Sequence, residues 1–279
     1  MIASIGDLLL DISIVPSGRL RTNDDTPATI TVGGGGQAAN FCAWTAALNE
    51  PVRLVARVGD DKRGHDLVAE LVTRGVEVAA VWALEPTGAI AVLVGPDGER
   101  TMATQRGASV GLKVDELEES WFADVNLIHV PAYSLFVEPL AGATRAAIAM
   151  VRDGGGMLAV DLSSAAGLRE YGAHRMAYTL ARLNPEVLLA TRAEADALGV
   201  PVEQLAQVPV IKLGGKGCVV FGHTIAAPDV EVIDPTGAGD AFAAAFCVAW
   251  LHGATPFESA ERAVAMAAES VAKAGARPV

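Results

Sequence analysis

Along most of the chain, short apolar runs alternate with stretches whose apolar positions recur every three to four residues. "VRLVARV" is followed by "RGHDLVAELVTRG", "VNLIHV" by "LAGATRAAIAMVRDG", "MLAVDL" by "EYGAHRMAYTLARL", and "EVLLAT" by "RAEADALG". The β-branched runs are strand-length, and the periodic stretches have the spacing of amphipathic helices. Repeated strand–helix units predict a parallel sheet covered on both faces. Helix ends carry glycine punctuation, at Gly75 after "ELVTR" and Gly154 after "AMVRD". No internal repeat, low-complexity tract or linker breaks the pattern.

Two stretches depart from it. "LLLDISIVPSGRLRTNDDTPATITV" reads as two strands around a polar loop containing proline, and "TGAIAVLVGPDGERTMAT" as two strands around Asp97-Gly98, a hairpin signal. Two such insertions separated by a βα segment predict a small sheet beside the main one; peripheral strands of the main sheet are the alternative. A sheet without helices of its own leaves a face to be covered by substrate, by the core or by a second subunit.

Composition narrows the function. The chain has 279 residues, half of them apolar, with abundant glycine and few aromatics, enough for one large α/β domain with an embellishment. A net charge of −12 argues against non-specific binding to nucleic acid or to an anionic membrane. It leaves room for a nucleotide held locally by backbone N–H groups and a metal ion. Cys42, Cys218 and Cys247 are isolated and form no CxxC pair, as expected of free thiols in a reducing compartment. The N-terminal apolar stretch carries Asp7 and Asp11 and no basic region, unlike a signal peptide. The run Ala241 to Leu251 is far shorter than the roughly 18 residues that span a bilayer. A cytoplasmic location is expected.

The chemistry concentrates in "VIDPTGAGDAFAAAF", residues 232–246. Pro235, Gly237 and Gly239 break regular structure, and Ala241 to Leu251 reads as a buried helix, which puts Asp240 where that helix begins. A helix N-terminus offers unpaired N–H donors and the positive end of the macrodipole. Gly237, Ala238 and Gly239 would let those donors close on an anion. A carboxylate there repels a resting phosphate, but it is useful if it takes a proton from an incoming hydroxyl during phosphoryl transfer. On this stretch alone, plain N-capping by Asp240 stands equally well. A second glycine run, "TVGGGGQAANFCAW", fits the dinucleotide pattern as Gly33-x-Gly35-x-x-Ala38, although its preceding strand is polar. No Walker A sequence is present; "GGKGCVV" lacks its spacing.

Taken together, these motifs resemble the ribokinase/PfkB family of sugar and nucleoside kinases over nearly the full length. Gly35, Gly36 and Asn40 fall on the family's GG-x-x-x-N, Gly59-Asp60-Asp61 and Gly64 on its GDD-x-x-G, and "DPTGAGDAF" is close to its D-T-x-G-A-G-D-x-F. The resemblance implies a ribokinase-like three-layer α/β/α core with a mainly parallel sheet and a small β-sheet lid. The core would comprise residues 1–8, 34–87 and 107–279, and the lid 9–33 and 88–106. It implies Asp240 as general base, the amides of Gly237, Ala238 and Gly239 as anion hole, and Asp11, Gly35, Gly36 and Asn40 as substrate contacts. Asp11 also suits that task on its own chemistry, since a carboxylate accepts bonds from two adjacent hydroxyls; a solvated strand-end charge is the alternative. "KLGGKG", with Lys212, Gly214 and Gly217, resembles the strand-turn that lines the nucleotide site, and "AAESVAKAGA" the closing helix beside the adenine.

The family's N-x-x-E element, which organises Mg²⁺ through water, reads Thr191 to Glu194 here; Glu194 is kept and Thr191 replaces asparagine. Asp234 and Thr236 match positions that bind a monovalent cation in some members, which leaves a K⁺ requirement open. Tyr133, at a strand's C-terminal edge, is a candidate substrate contact, Arg100 and Arg106 face either substrate or solvent, and His129 and His174 read as structural. The resulting expectation is an ATP- and Mg²⁺-dependent kinase acting on a primary hydroxyl of a small sugar, dimeric through its lid. A nucleoside kinase of the same fold, a nicotinamide-dependent oxidoreductase and a non-catalytic sugar-binding regulator are the alternatives.

Overall fold

A computed structural model describes residues 1–95 and 100–278. The chain runs β1 (Ile2–Ile5), β2 (Leu9–Pro16), β3 (Ala28–Gly35), α1 (Gln37–Ala47), β4 (Val52–Gly59), α2 (Lys62–Thr73), β5 (Glu77–Ala83), β6 (Thr87–Val94) and β7 (Arg100–Gly107). It continues with β8 (Leu127–Pro131), α3 (Leu140–Asp153), β9 (Met157–Asp161), α4 (Ala165–Tyr171), α5 (Ala173–Leu183), β10 (Val187–Thr191) and α6 (Arg192–Leu198). The last elements are β11 (Val208–Lys212), β12 (Cys218–Val220), β13 (His223–Ile225), α7 (Ala238–Leu251) and α8 (Pro256–Val271).

Nine strands form the main sheet in the order β13-β12-β11-β10-β9-β8-β1-β4-β5. All neighbours are parallel except the β11–β12 and β12–β13 pairs. Strands such as β1, β8 and β10 are buried along their length because helices cover both faces. One apolar cluster includes side chains of α1, α2, α7 and α8, and the other those of α3, α5 and α6. This is the three-layer core. The parallel direction brings the ends of β1, β8, β9, β10 and β11 to one edge, where open α/β sheets bind ligands.

The two insertions form a separate four-stranded sheet, β3-β2-β6-β7. β2 and β6 pair parallel, with antiparallel β3 and β7 outside them. The Asp97-Gly98 turn lies outside the described residues. Register puts Asp11, Ser13, Ile90, Val92, Met102 and Arg100 on one face of this lid, and Ile12, Ile14, Ile30, Val32, Ala91 and Leu93 on the other. The second face is apolar, and Ile30 and Val32 are largely exposed on it.

Three of the four consecutive glycines belong to β3, and Gly36 is the N-cap of α1 with φ 97°. The run therefore ends a lid strand rather than a strand of the parallel sheet. That removes the parallel βαβ setting a dinucleotide fingerprint needs.

Candidate active site

Helix α7 starts three residues earlier than its apolar pattern predicts. Gly237 is the N-cap, with a left-handed φ of 77° and no side-chain cap. A Cβ at Gly237 would meet the Ala276 carbonyl oxygen at 2.2 Å, so both backbone and space require glycine. Asp240 is consequently the third helical residue rather than its cap, and the plain-capping reading falls away. The amides of Gly237 and Gly239 have no partner among the described residues, and that of Ala238 makes only a long 3.4 Å bond to Pro235. This turn presents donors to the cleft with no side chain in their way.

Asp240 is half-buried, and its Oδ2 accepts a 3.0 Å bond from Asn40 Nδ2. Burial pushes its pKa up to about 7; the Asn40 bond and Lys212 oppose the rise, while Asp161 and Asp7 add to it. A carboxyl poised near neutral pH is suited to taking a proton.

Behind Asp240 lies a buried charge cluster at the sheet edge. Asp161 ends β9 at 1% exposure and accepts a 2.6 Å bond from Lys212 Nζ at the end of β11. Burial works against the Lys212 charge, but the Asp161 and Glu194 carboxylates outweigh it and raise the pKa. Glu194 is also buried and raised, chiefly by burial and then by Asp161. Thr191 and Glu194 form a capping box on α6: the Thr191 amide donates to Glu194 Oε2 at 2.7 Å, and the Glu194 amide to Thr191 Oγ1 at 3.3 Å. The threonine that replaces asparagine thus starts the helix that holds Glu194.

On the lid side, Asp11 projects from β2 against Gly35. A Cβ on Gly35 would lie 3.0 Å from the Asp11 Cβ, and one on Gly36 would lie 2.4 Å from the Asp7 carbonyl oxygen. These glycines let the lid strand close over the end of β1. The Asp11 carboxylate has no hydrogen-bond partner among the described residues, and burial raises its pKa against the pull of Arg100 and Arg277. Asp7, 5% exposed, accepts a 3.0 Å bond from Arg106 Nη1, and the Arg106 guanidinium lies 4.0 Å over the Tyr133 ring. The Asp7 Oδ1 is buried without a partner. Tyr133 stands in the short turn Ala132–Leu135 that follows β8. His129 is structural: its ring stacks on Phe41 at 3.8 Å, its Nδ1 lies 3.0 Å from Ser4 Oγ, and burial lowers its pKa to about 3.

On the other side of the turn opens a cleft of about 570 Å³. Lys212, Gly214, Gly217, Ala238 and Gly239 form its polar end; Val230, Val232, Val264, Ala268 and Val271 form apolar walls. Its size is that of a small-molecule site. Asp234 and Thr236 sit together but face inward on themselves. Asp234 Oδ1 accepts from the Thr236 amide at 2.9 Å, from Thr236 Oγ1 and from Arg100 Nη2 at 2.6 Å, and Oδ2 accepts from the Gly275 amide at 3.0 Å. Burial alone would raise Asp234, but these donors hold it below the ordinary carboxylate range. Both oxygens are thus engaged, with the Arg100 charge beside them.

The structure therefore links Asp240, at the end of the Gly237-Ala238-Gly239 turn, to Asn40 by a hydrogen bond, and Asn40 through Arg277 to Gly35, which lies against Asp11. Gly36 follows Gly35, and Lys212 lines the cleft on the other side of the turn. Arg106, which the sequence left between substrate and solvent, faces Asp7 and Tyr133. Asp7, Asp161 and Arg277 join the site without having been proposed for it from the sequence. Asp161 had a usable signal, a carboxylate closing a core strand at the ligand-binding edge. Arg277 had none.

A family model described as pfkB family carbohydrate kinase matches residues 1–279. The chain is 29% identical over 252 residues to the ATP-dependent ribose-1-phosphate kinase of Halopiger xanaduensis, covering 88% of this chain and 82% of the relative. It is 26% identical to the ribokinase of Mus musculus, with 88% and 80% covered. The 2-dehydro-3-deoxygluconokinase of Thermoproteus tenax is 28% identical, with 96% and 87% covered. Among solved structures, adenosine kinase from Sinorhizobium meliloti superposes with a TM-score of 0.87 at 24% identity, over 100% of this chain and 95% of that one. Arabidopsis thaliana ribokinase complexed with ribose and ATP gives 0.77 at 24% identity, over 99% and 93%.

Proposed function

This chain belongs to the pfkB family of carbohydrate kinases, and from that premise we propose that it transfers the γ-phosphoryl group of ATP to a primary hydroxyl of a small sugar. One observation carries the reading: the Asp240 carboxylate, bonded to Asn40 at 3.0 Å, follows directly on a turn of amides that lines a cleft of about 570 Å³, and burial pushes its pKa up to about 7. The acceptor binds under the lid, with Asp11 taking bonds from its hydroxyls and Gly35, Gly36 and Asn40 fixing its position. ATP binds across the turn, its base between the apolar walls and its phosphates toward Lys212, Gly214 and Gly217.

In the transfer, the acceptor oxygen attacks the γ-phosphorus while its proton passes to Asp240. The bond to the β,γ-bridging oxygen breaks and ADP leaves. The amides of Gly237, Ala238 and Gly239 take up charge spreading over the transferred group, where preorganised donors have the largest effect. Lid closure keeps water, a competing acceptor, out of the site.

Among the described residues no group of three or more His, Cys, Asp or Glu is spaced to cage a metal. Glu194, buried at the sheet edge, would hold the waters of an ion that arrives with the nucleotide phosphates. Mg²⁺ would supply neutralisation of phosphate charge, as expected of ATP chemistry; an E. coli protein described as a ribokinase II was solved in complex with ATP and Mg²⁺. The apolar lid face bearing Ile12, Ile14, Ile30 and Val32 supports a homodimer in which lids cover one another. Light scattering that gave a mass near 28.7 kDa at micromolar concentration would remove that part of the reading.

The test is ADP release from ATP–Mg²⁺ with ribose, fructose, a sugar acid, a ketose phosphate, adenosine and pseudouridine as acceptors. Turnover of a sugar is expected. Turnover of nucleosides alone would reassign the acceptor class, and none with any acceptor would favour a sugar-binding regulator.

A further inference from the structure

After α8 the chain doubles back, and residues 272–278 wedge between α1 and the α7 turn. The Ala276 carbonyl accepts a 3.0 Å bond from Trp44 Nε1 and also packs against Gly237. The next residue, Arg277, is buried, with 4% of its side chain exposed. Its guanidinium reaches three groups at once. Nη1 bonds Glu70 on α2, Nη2 donates to the Gly35 carbonyl at 3.0 Å, and Nε donates to Asn40 Oδ1 at 3.0 Å. Asn40 Nδ2 in turn donates to Asp240 Oδ2 at 3.0 Å.

A carboxamide has one accepting and one donating end, and nothing in its shape decides which faces which neighbour. A guanidinium only donates. With Arg277 Nε fixed on Oδ1, the amide NH₂ must face the carboxylate. Rotated by half a turn, Asn40 would set oxygen against oxygen at Asp240 and nitrogen against the guanidinium. Gly34 makes room for this arrangement: a Cβ there would lie 1.9 Å from Arg277 Nη1.

We propose that Arg277 is a positioning residue that sets the orientation of the Asn40 amide and, through it, holds the Asp240 carboxylate in its reactive orientation. This rests on Asp240 being the base. The charged groups around that carboxylate are Asp161 and Lys212 from the strand ends and Asp7, itself paired to Arg106. None of these touches Arg277, so its removal leaves them in place. The chain of bonds runs from a permanent cation through a neutral amide to the acid that must accept the proton, and it also ties the acceptor-binding carbonyl of Gly35 to the same anchor.

The experiment compares Arg277→Gln, Arg277→Lys, Asn40→Ala, the Arg277→Gln/Asn40→Ala double variant and Asp240→Asn, with Trp44→Phe as a variant that loosens the same segment without touching Asn40. Arg277→Gln should lower kcat by about ten- to a hundredfold, the worth of a hydrogen bond to a charged group, with KM for ATP within about twofold of the parent. The acidic limb of the kcat–pH profile should move upward, because the Asn40 bond holds the Asp240 pKa down. Trp44→Phe should not move that limb. The double variant should be no slower than Asn40→Ala alone, since residues acting through one bond are non-additive. Arg277→Lys keeps the buried charge and fold, but its single ammonium lacks the planar guanidinium fork that reaches Glu70, Gly35 and Asn40 together, so it should show the same limb shift even if Arg277→Gln unfolds. Multiplying effects in the double variant, or an unmoved limb in Arg277→Lys, would overturn the relay while an inactive Asp240→Asn kept the base assignment. An active Asp240→Asn would overturn both.

Discussion

Replacing Asp240 by asparagine should produce a protein that is more stable and almost inactive, and the size of both effects follows from where the carboxylate sits. Its pKa rises from the ordinary 3.8 to about 7 on folding, chiefly through burial. Below about pH 4 the group is protonated in both folded and unfolded chains and contributes nothing to the difference. As pH climbs, the unfolded chain ionises first while the folded chain keeps its proton, so folding stability is lost until the pH passes about 7. A displacement of about three units at ~1.4 kcal/mol each puts the penalty near 4 kcal/mol at alkaline pH, as an upper figure for a half-buried group. Asparagine is neutral at every pH and its Oδ1 can still accept from Asn40 Nδ2, so the geometry survives and the penalty disappears. At roughly 2 °C per kcal/mol for a chain of this size, Tm should rise by up to ~8 °C at pH 8.5 and by far less at pH 5. Turnover with the acceptor found in the panel should fall ~10²–10⁴-fold, the typical worth of a general base. Thermal melts at the two pH values and an ADP-release assay on the same preparations measure both. Unchanged melting at pH 8.5 would show that the carboxylate is not strained by burial. Residual activity above about a tenth would show that it is not the base.

Three further outcomes follow from the same geometry. In the parent enzyme kcat/KM should fall as pH drops below about 7, because protonated Asp240 cannot accept; a flat profile between pH 5.5 and 7.5 would contradict this. Gly237→Ala should cost ~1–3 kcal/mol or more through its left-handed backbone and the clash with Ala276, with Tm and activity falling together in melts and turnover assays. Asp11→Ala should lower kcat/KM for the acceptor by about ten- to a hundredfold through the lost bonds to hydroxyls, while ATP affinity by calorimetry stays unchanged.

The parallel core was legible because β-branched runs and helical spacing alternate with little interference, and the lid because its strands interrupt that alternation. β5 was not: "EVAAVWA" is only partly buried on the sheet edge, so its pattern is weak. The start of α7 at Ala238 was also hidden. Gly-Ala-Gly carries no helix signal, and only the left-handed Gly237 packed on Ala276 fixes where the helix begins. Asp240 and the glycines were visible as a local motif because turn, donors and acid are consecutive. Arg277 was invisible because its partners, Asn40 and Gly35, lie at the opposite end of the sequence. A surface arginine and a buried one look alike until the chain folds back. The run of four glycines shows the same limit. Gly34 admits a guanidinium, Gly35 a carboxylate and Gly36 a carbonyl, all of them from this protein and none of them adjacent in sequence.

Asp234 receives both the lid, through Arg100, and the turn that starts α7, through Thr236. Swinging the lid outward would break the Arg100 link and leave that loop without its tie to β7. On the proposed reading, a kinase with its lid open would be spared the idle burning of ATP.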